Sequence, residues 1–249
     1  MSLLAALQLL TTIPIRRATR PGEIAGAVTY FPLVGFIIGL ILAGLSWVLA
    51  FLLPDALANA LVIVALVVIT GAMHLDGLAD TCDGLAGHRT VEERWQVMRD
   101  SRSGAFGVIG LILVLLVKYI SLNSIPPALL TMVLIFMPVA SRWAMVYAIF
   151  AYPYARPSGL GKTFKEGATL SRFLIATLIT VGLLVLLLPV FRLSGLALLF
   201  GVWLMTVILA SYFRGNFAGL TGDTYGAINE ITETGVLVLA ILLARFQLI

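Results

Sequence analysis

At 249 residues, 61% apolar and only 11% charged, with a mean hydropathy of +1.08, the chain has too little polar surface for a water-soluble domain. Its net charge of +4 does not point to nucleic acid, because the basic residues flank apolar runs instead of clustering on a soluble face. One cysteine and two histidines exclude an internal disulfide and a Cys/His zinc centre.

Residues 2–13 are apolar but too short to span a membrane. With no basic segment before them and Arg16, Arg17 and Arg20 after, they predict an interfacial or half-inserted helix and not a signal peptide. Seven apolar runs follow, at residues 31–53, 56–73, 105–122, 128–151, 173–190, 196–213 and 235–249. A membrane helix needs ~20 such residues. The expected fold class is therefore all-α: a polytopic integral membrane helical bundle of about seven spans plus the short N-terminal helix, one domain over residues 1–249.

Only Lys118, Arg142 and Arg245 carry charge within these runs. Lys118 and Arg245 lie near span ends and are expected to snorkel to the interface. Arg142 lies deep, where a guanidinium needs an anionic partner: a carboxylate, a phosphate or an acidic cofactor. The connections at 14–30, 74–104, 152–172 and 214–234 hold twelve of the sixteen Lys and Arg, which places them in the cytoplasm. They also hold eleven of the twelve acids, all but Asp55, and orientation does not explain that concentration.

The first of two acidic strings is His74-Leu75-Asp76-Gly77-Leu78-Ala79-Asp80-Thr81-Cys82-Asp83-Gly84. Its aspartates fall at i, i+4 and i+7, one stripe of a helix. Carboxylates so close repel, by ~4 kcal/mol per pair at an effective dielectric of 20. A hard divalent cation removes that repulsion, and oxygen-only ligands point to magnesium or manganese. His74 would orient a carboxylate or make a structural hydrogen bond, and Cys82 is a packing residue. Next, Met98-Arg99-Asp100-Ser101-Arg102-Ser103-Gly104 precedes a span. Arg99 and Arg102 can pair with phosphate oxygens, Ser-Gly amides at a helix start suit an anion, and Asp100 supports them; a positive-inside anchor accounts for the same arginines.

Residues 152–162, with Tyr154 and Arg156, form a basic connection able to close over a polyanion. The second acidic string runs from Gly219 through Thr221-Gly222-Asp223-Thr224 to Glu230 and Glu233. Helical from about Thr224, it would align Glu230 and Glu233 on one side, with Asp223 at the helix start. Thr221 and its neighbours also suit a helix cap. Asp223 and Glu230 join the candidate metal ligands, with Thr221 and Glu233 as supports. Carboxylates for a metal and arginines for phosphate together suggest transfer of a phosphate-linked group at the cytoplasmic face.

These residues resemble the cobalamin synthase (adenosylcobinamide-GDP ribazoletransferase) family over nearly the whole chain. The resemblance rests on Thr12-Ile13-Pro14, Phe31-Pro32-Leu33-Val34-Gly35, the string from His74 to Gly84, residues 98–107, Arg142, Tyr154-Ala155-Arg156 and residues 219–233. It implies a multi-pass inner-membrane enzyme, embedded in the lipid bilayer and dependent on magnesium. Its substrates would be adenosylcobinamide-GDP and α-ribazole or its 5′-phosphate, with release of GMP. Asp76, Asp80, Asp83 and Arg142 would be catalytic, with Arg99, Arg102, Arg142 and Arg156 on substrate phosphates. A homo-oligomer is compatible with this picture; a nucleic-acid partner is not expected. Two other classes share some of these features. A CDP-alcohol phosphotransferase would carry an Asp-x-x-Asp-Gly-x-x-Ala-Arg opening, which is lacking here because Asp80 follows Ala79. A cation-coupled transporter would spread its charges through the midplane, not gather them on one side.

Overall fold

The apolar runs fold into helices in a computed structural model that describes residues 2–87, 90–100, 102–186 and 194–248. In order these are α1 (Ser2–Leu10), α2 (Pro21–Ala27), a 3-10 turn (Val28–Tyr30), α3 (Phe31–Leu52), α4 (Asp55–Thr70), α5 (Met73–Leu85), α6 (Val91–Val97) and α7 (Ala105–Ser124). There follow α8 (Pro127–Ala151), α9 (Leu160–Gly167), α10 (Leu170–Leu186), α11 (Ser194–Phe217) and α12 (Gly222–Arg245). The end of the predicted fifth span, the connection with Arg192, and His88, Arg89, Ser101 and Ile249 lie outside the described residues.

Five stretches are long and apolar enough to cross a membrane: Gly22–Leu52, Ala105–Ser124, Pro127–Ala151, Ser194–Phe217 and Gly222–Arg245. The remaining two predicted spans are bent pairs, α4 with α5 at 89° and α9 with α10 at 90°. In each pair α4 or α10 is the long apolar member, and its shorter partner turns away at close to a right angle. On α7, Ile112, Leu116 and Ile120 form an exposed stripe at helical spacing, which is a lipid-facing surface. The chain is a polytopic helical membrane bundle.

The α4–α5 corner is local chemistry. α4 ends on Gly71 (φ 61°), and Ala72 follows in the same left-handed region (φ 57°), so the chain leaves one helix and at once begins another. Glycine adopts this conformation freely, whereas a residue with a Cβ gives up ~1–2 kcal/mol. α8 runs through the middle of the bundle, buried along most of its length, with α3, α10, α11 and α12 around it.

One span boundary departs from the sequence-based expectation. α12 begins at Gly222, not 235, so the helix expected from about Thr224 runs on into the last span without a break. A capping box starts it early: Thr224 N donates to Thr221 Oγ1 (3.2 Å) and Thr221 N to Thr224 Oγ1 (2.8 Å). Glu230 and Glu233 consequently stand inside the bundle.

Candidate active site

α5 crosses the first turns of α12 backbone against backbone. A Cβ on Gly77 would stand 2.8 Å from the Asp223 carbonyl oxygen, and one on Gly226 would stand 3.1 Å from that of His74. Small residues at such a crossing let two helices approach as closely as their main chains permit. The contact sets Asp76 and Asp80 of α5 beside Asp223 of α12. Asp76 is exposed; Asp80 and Asp223 are half-buried. Burial, reinforced by the charges of Asp223 and Asp76, pushes Asp80 up to about 7.

Arg156 enters from the segment before α9. Its Nη2 donates to Asp223 Oδ2 at 2.8 Å. Main-chain pairing holds it there: Ala155 N donates to Leu220 O and Leu220 N to Pro153 O, both at 2.8 Å. Thr221 caps α12 and also donates to Asp223 Oδ2 at 3.4 Å. Arg99 is exposed, and its charge acts on Tyr154 in the same segment. Among the described residues no three His, Cys, Asp or Glu side chains are arranged to hold a metal ion. Asp76, Asp80 and Asp223 nevertheless offer the oxygen donors that magnesium prefers, in mutual repulsion that a cation would relieve.

Asp83, the third member of the stripe, is engaged elsewhere. Its Oδ2 accepts from Gly104 N (2.7 Å) and its Oδ1 from Gly107 N (2.8 Å), so it closes the N-terminus of α7. The anion that suits those amides is thus a carboxylate of the protein itself. Arg102 pairs with Asp100 (2.7 Å) in a cleft of about 580 Å³ that also borders Asp83 and Phe106. None of Asp76, Asp80, Asp223 and Arg156 lines that cleft.

The charges assigned to snorkelling, metal and phosphate from sequence instead meet one another. Lys118 is buried and donates to Glu230 Oε2 (2.6 Å) and Glu233 Oε2 (2.5 Å), so it does not reach for the interface. Arg142 is fully buried, with Nη1 on Glu233 Oε1 and on Ser141 Oγ (3.0 Å). Asn229 Nδ2 also donates to Glu233 (3.3 Å). Two cations and two anions balance one another across α7, α8 and α12. The structure therefore gives Arg142 a carboxylate partner in place of the expected phosphate, and Glu230 an ammonium in place of a metal.

A cavity of about 230 Å³ lies beside the Asp76–Asp223 contact, walled by residues of α1, α5, α8, α9 and α12. His74 and Tyr225 line it, both buried. Neither ring nitrogen of His74 nor the Tyr225 hydroxyl has a hydrogen-bond partner. Burial first, then the Arg142 charge, lowers His74 to about 3, so its ring is neutral. Sequence reasoning gave Tyr225 no role; its one sign was its place two residues after Asp223 in the second acidic string.

The family model described as cobalamin-5-phosphate synthase matches residues 2–241. A Desulforamulus reducens protein named adenosylcobinamide-GDP ribazoletransferase is 39% identical over 243 residues, spanning 97% of this chain and 96% of its own. Relatives of the same name from Roseiflexus sp. and Thermosynechococcus vestitus are each 39% identical, spanning 98% and 94% of this chain and 90% and 93% of theirs. No solved structure matches the chain.

Proposed function

Because this chain belongs to the cobalamin-5-phosphate synthase family, we propose that it is an adenosylcobinamide-GDP ribazoletransferase of the inner membrane, its site open to the cytoplasm. A hydroxyl of α-ribazole, or of its 5′-phosphate, attacks the phosphorus that carries the cobinamide. One P–O bond forms, the bridging P–O bond of the diphosphate breaks, GMP leaves with that electron pair, and the hydroxyl proton passes to solvent. The observation that carries this proposal is the meeting of Asp76, Asp80, Asp223 and Arg156 where α5 crosses α12.

In this site Asp76, Asp80 and Asp223 would hold a divalent cation, magnesium or manganese. When bound, the cation neutralises the diphosphate and the charge that develops on the leaving phosphate. Arg156, held at the crossing by main-chain pairing, would turn its planar donors from Asp223 to a phosphate oxygen. Arg99 adds positive charge on the same side. Asp83 acts one step removed: by fixing the start of α7 it fixes the end of α5 that bears Asp80.

The test is product formation by purified protein in liposomes with magnesium. GMP is expected only when adenosylcobinamide-GDP and α-ribazole, or its 5′-phosphate, are both present. GMP released equally without the ribazole would mark a hydrolase, and no GMP from folded protein would reject the assignment.

A further inference from the structure

The cavity beside the carboxylates is small, apolar and incompletely satisfied. At about 230 Å³ it falls below the ~300–1,000 Å³ usual for drug-sized ligands, so it admits a flat ring system and not a whole nucleotide or a corrinoid. Leu10, Met145 and Phe164 supply buried apolar wall, and Leu160 stands half exposed at the rim. Against this wall stand two buried side chains with unused polar atoms, Tyr225 and His74. A buried hydroxyl without a partner loses ~1–3 kcal/mol, and a ligand atom that accepts from it recovers that loss.

Resting on the function proposed above, we infer that this cavity receives the dimethylbenzimidazole base of the ribazole acceptor. The base's one unalkylated ring nitrogen accepts from the Tyr225 hydroxyl, and its ribose faces Asp76 and Asp223. The polarity of the wall decides between the two bases the reaction brings. In the nucleoside, dimethylbenzimidazole offers one acceptor, no N–H donor and two methyl groups. Guanine would bring a ring amide, an exocyclic amine and a carbonyl to a wall of Leu10, Met145 and Phe164 where His74 and Tyr225 are the polar groups, so it could be matched only by drawing on Asp76 and Asp223, which the proposed transfer uses. Sites reject a ligand most strongly when polar groups are left buried and unmatched. The cavity's edge includes Asp76, Gly222 and Asp223, so a ribose leaving the base arrives at the carboxylates that the proposed transfer uses. α1 and α9, which carry none of those carboxylates, thereby gain a role as walls of the acceptor pocket through Leu10 and Phe164.

The test is equilibrium binding of α-ribazole and, separately, of GMP to the full chain in detergent, together with KM for each substrate. Tyr225→Phe keeps the ring and removes only the hydroxyl; Leu160→Trp, at the exposed rim, narrows the opening without disturbing the core. Each is expected to weaken α-ribazole binding about tenfold, the size of one net hydrogen bond, and to raise its KM alike, with GMP binding and the corrinoid substrate's KM unmoved. Unchanged α-ribazole binding in both variants, no α-ribazole binding by the parent protein, or weakened GMP binding would each overturn the inference. Binding that responds to Tyr225→Phe in a protein that forms no GMP would overturn the proposed reaction and leave the pocket assignment standing.

Discussion

Glu233 accepts from Lys118 and Arg142 in a part of the bundle closed to water, so the charge of each depends on the others. Removing one member of a buried pair leaves an uncompensated ion, a loss of ~3–5 kcal/mol, whereas removing one charge of each sign leaves a balanced set. Glu233→Gln should therefore lower thermal stability in detergent more than the double variant Lys118→Met with Glu230→Gln. The reverse order would show that these charges are not held as one neutral cluster. The same pairing gives Arg142 a part in stability. Sequence alone singled out these charged residues but not the partners they meet in the fold. Three aspartates on one helical stripe look equivalent, yet the amides that take Asp83 lie 21 and 24 residues downstream. Lys118 meets its acceptors across 112 and 115 residues, far beyond any local pattern.

Between elements, the crossing of α5 and α12 is where the fold makes the site. A methyl on Gly77 would stand 2.8 Å from the carbonyl oxygen of Asp223 and 3.0 Å from its Cα, so one helix must shift. A shift of that size separates Asp76 and Asp80 from Asp223, and misplacement by an ångström is enough to cost ~100-fold in rate. Gly77→Ala is expected to keep the helical circular-dichroism signal and lose at least ~10-fold in GMP release. Gly44→Ala in α3, outside the site, is the control, since a Cβ there meets nothing within 4 Å. Equal activity in both variants would show that the crossing distance does not matter. That the first acidic string lies along one helix was legible from spacing alone. That α5 turns 89° from α4 was not, because an Ala in the left-handed region carries no sequence signature.

Across the whole molecule, the sequence foretold the helical bundle well because lipid leaves the backbone few alternatives to helix. It foretold the last span poorly, because a helix that buries Glu230 and Glu233 looks from its sequence like a polar connection. On the orientation proposed above, with the Lys and Arg excess facing the cytoplasm, α5, α6 and α9 would lie on that side. Glu92→Cys, in a background where Cys82 is replaced, should resist impermeant thiol reagents in intact cells and react once the membrane is opened; labelling of intact cells would invert the topology. The central claim is that Asp76, Asp80 and Asp223 form the metal-dependent transfer site, and magnesium-dependent GMP release from the reconstituted protein and its three single Asp→Asn variants measures it most directly. Each variant is expected to fall by at least ~100-fold at saturating magnesium, on the scale of a lost electrostatic contribution to the transition state, with thermal stability retained. Near-parental turnover in all three would contradict it.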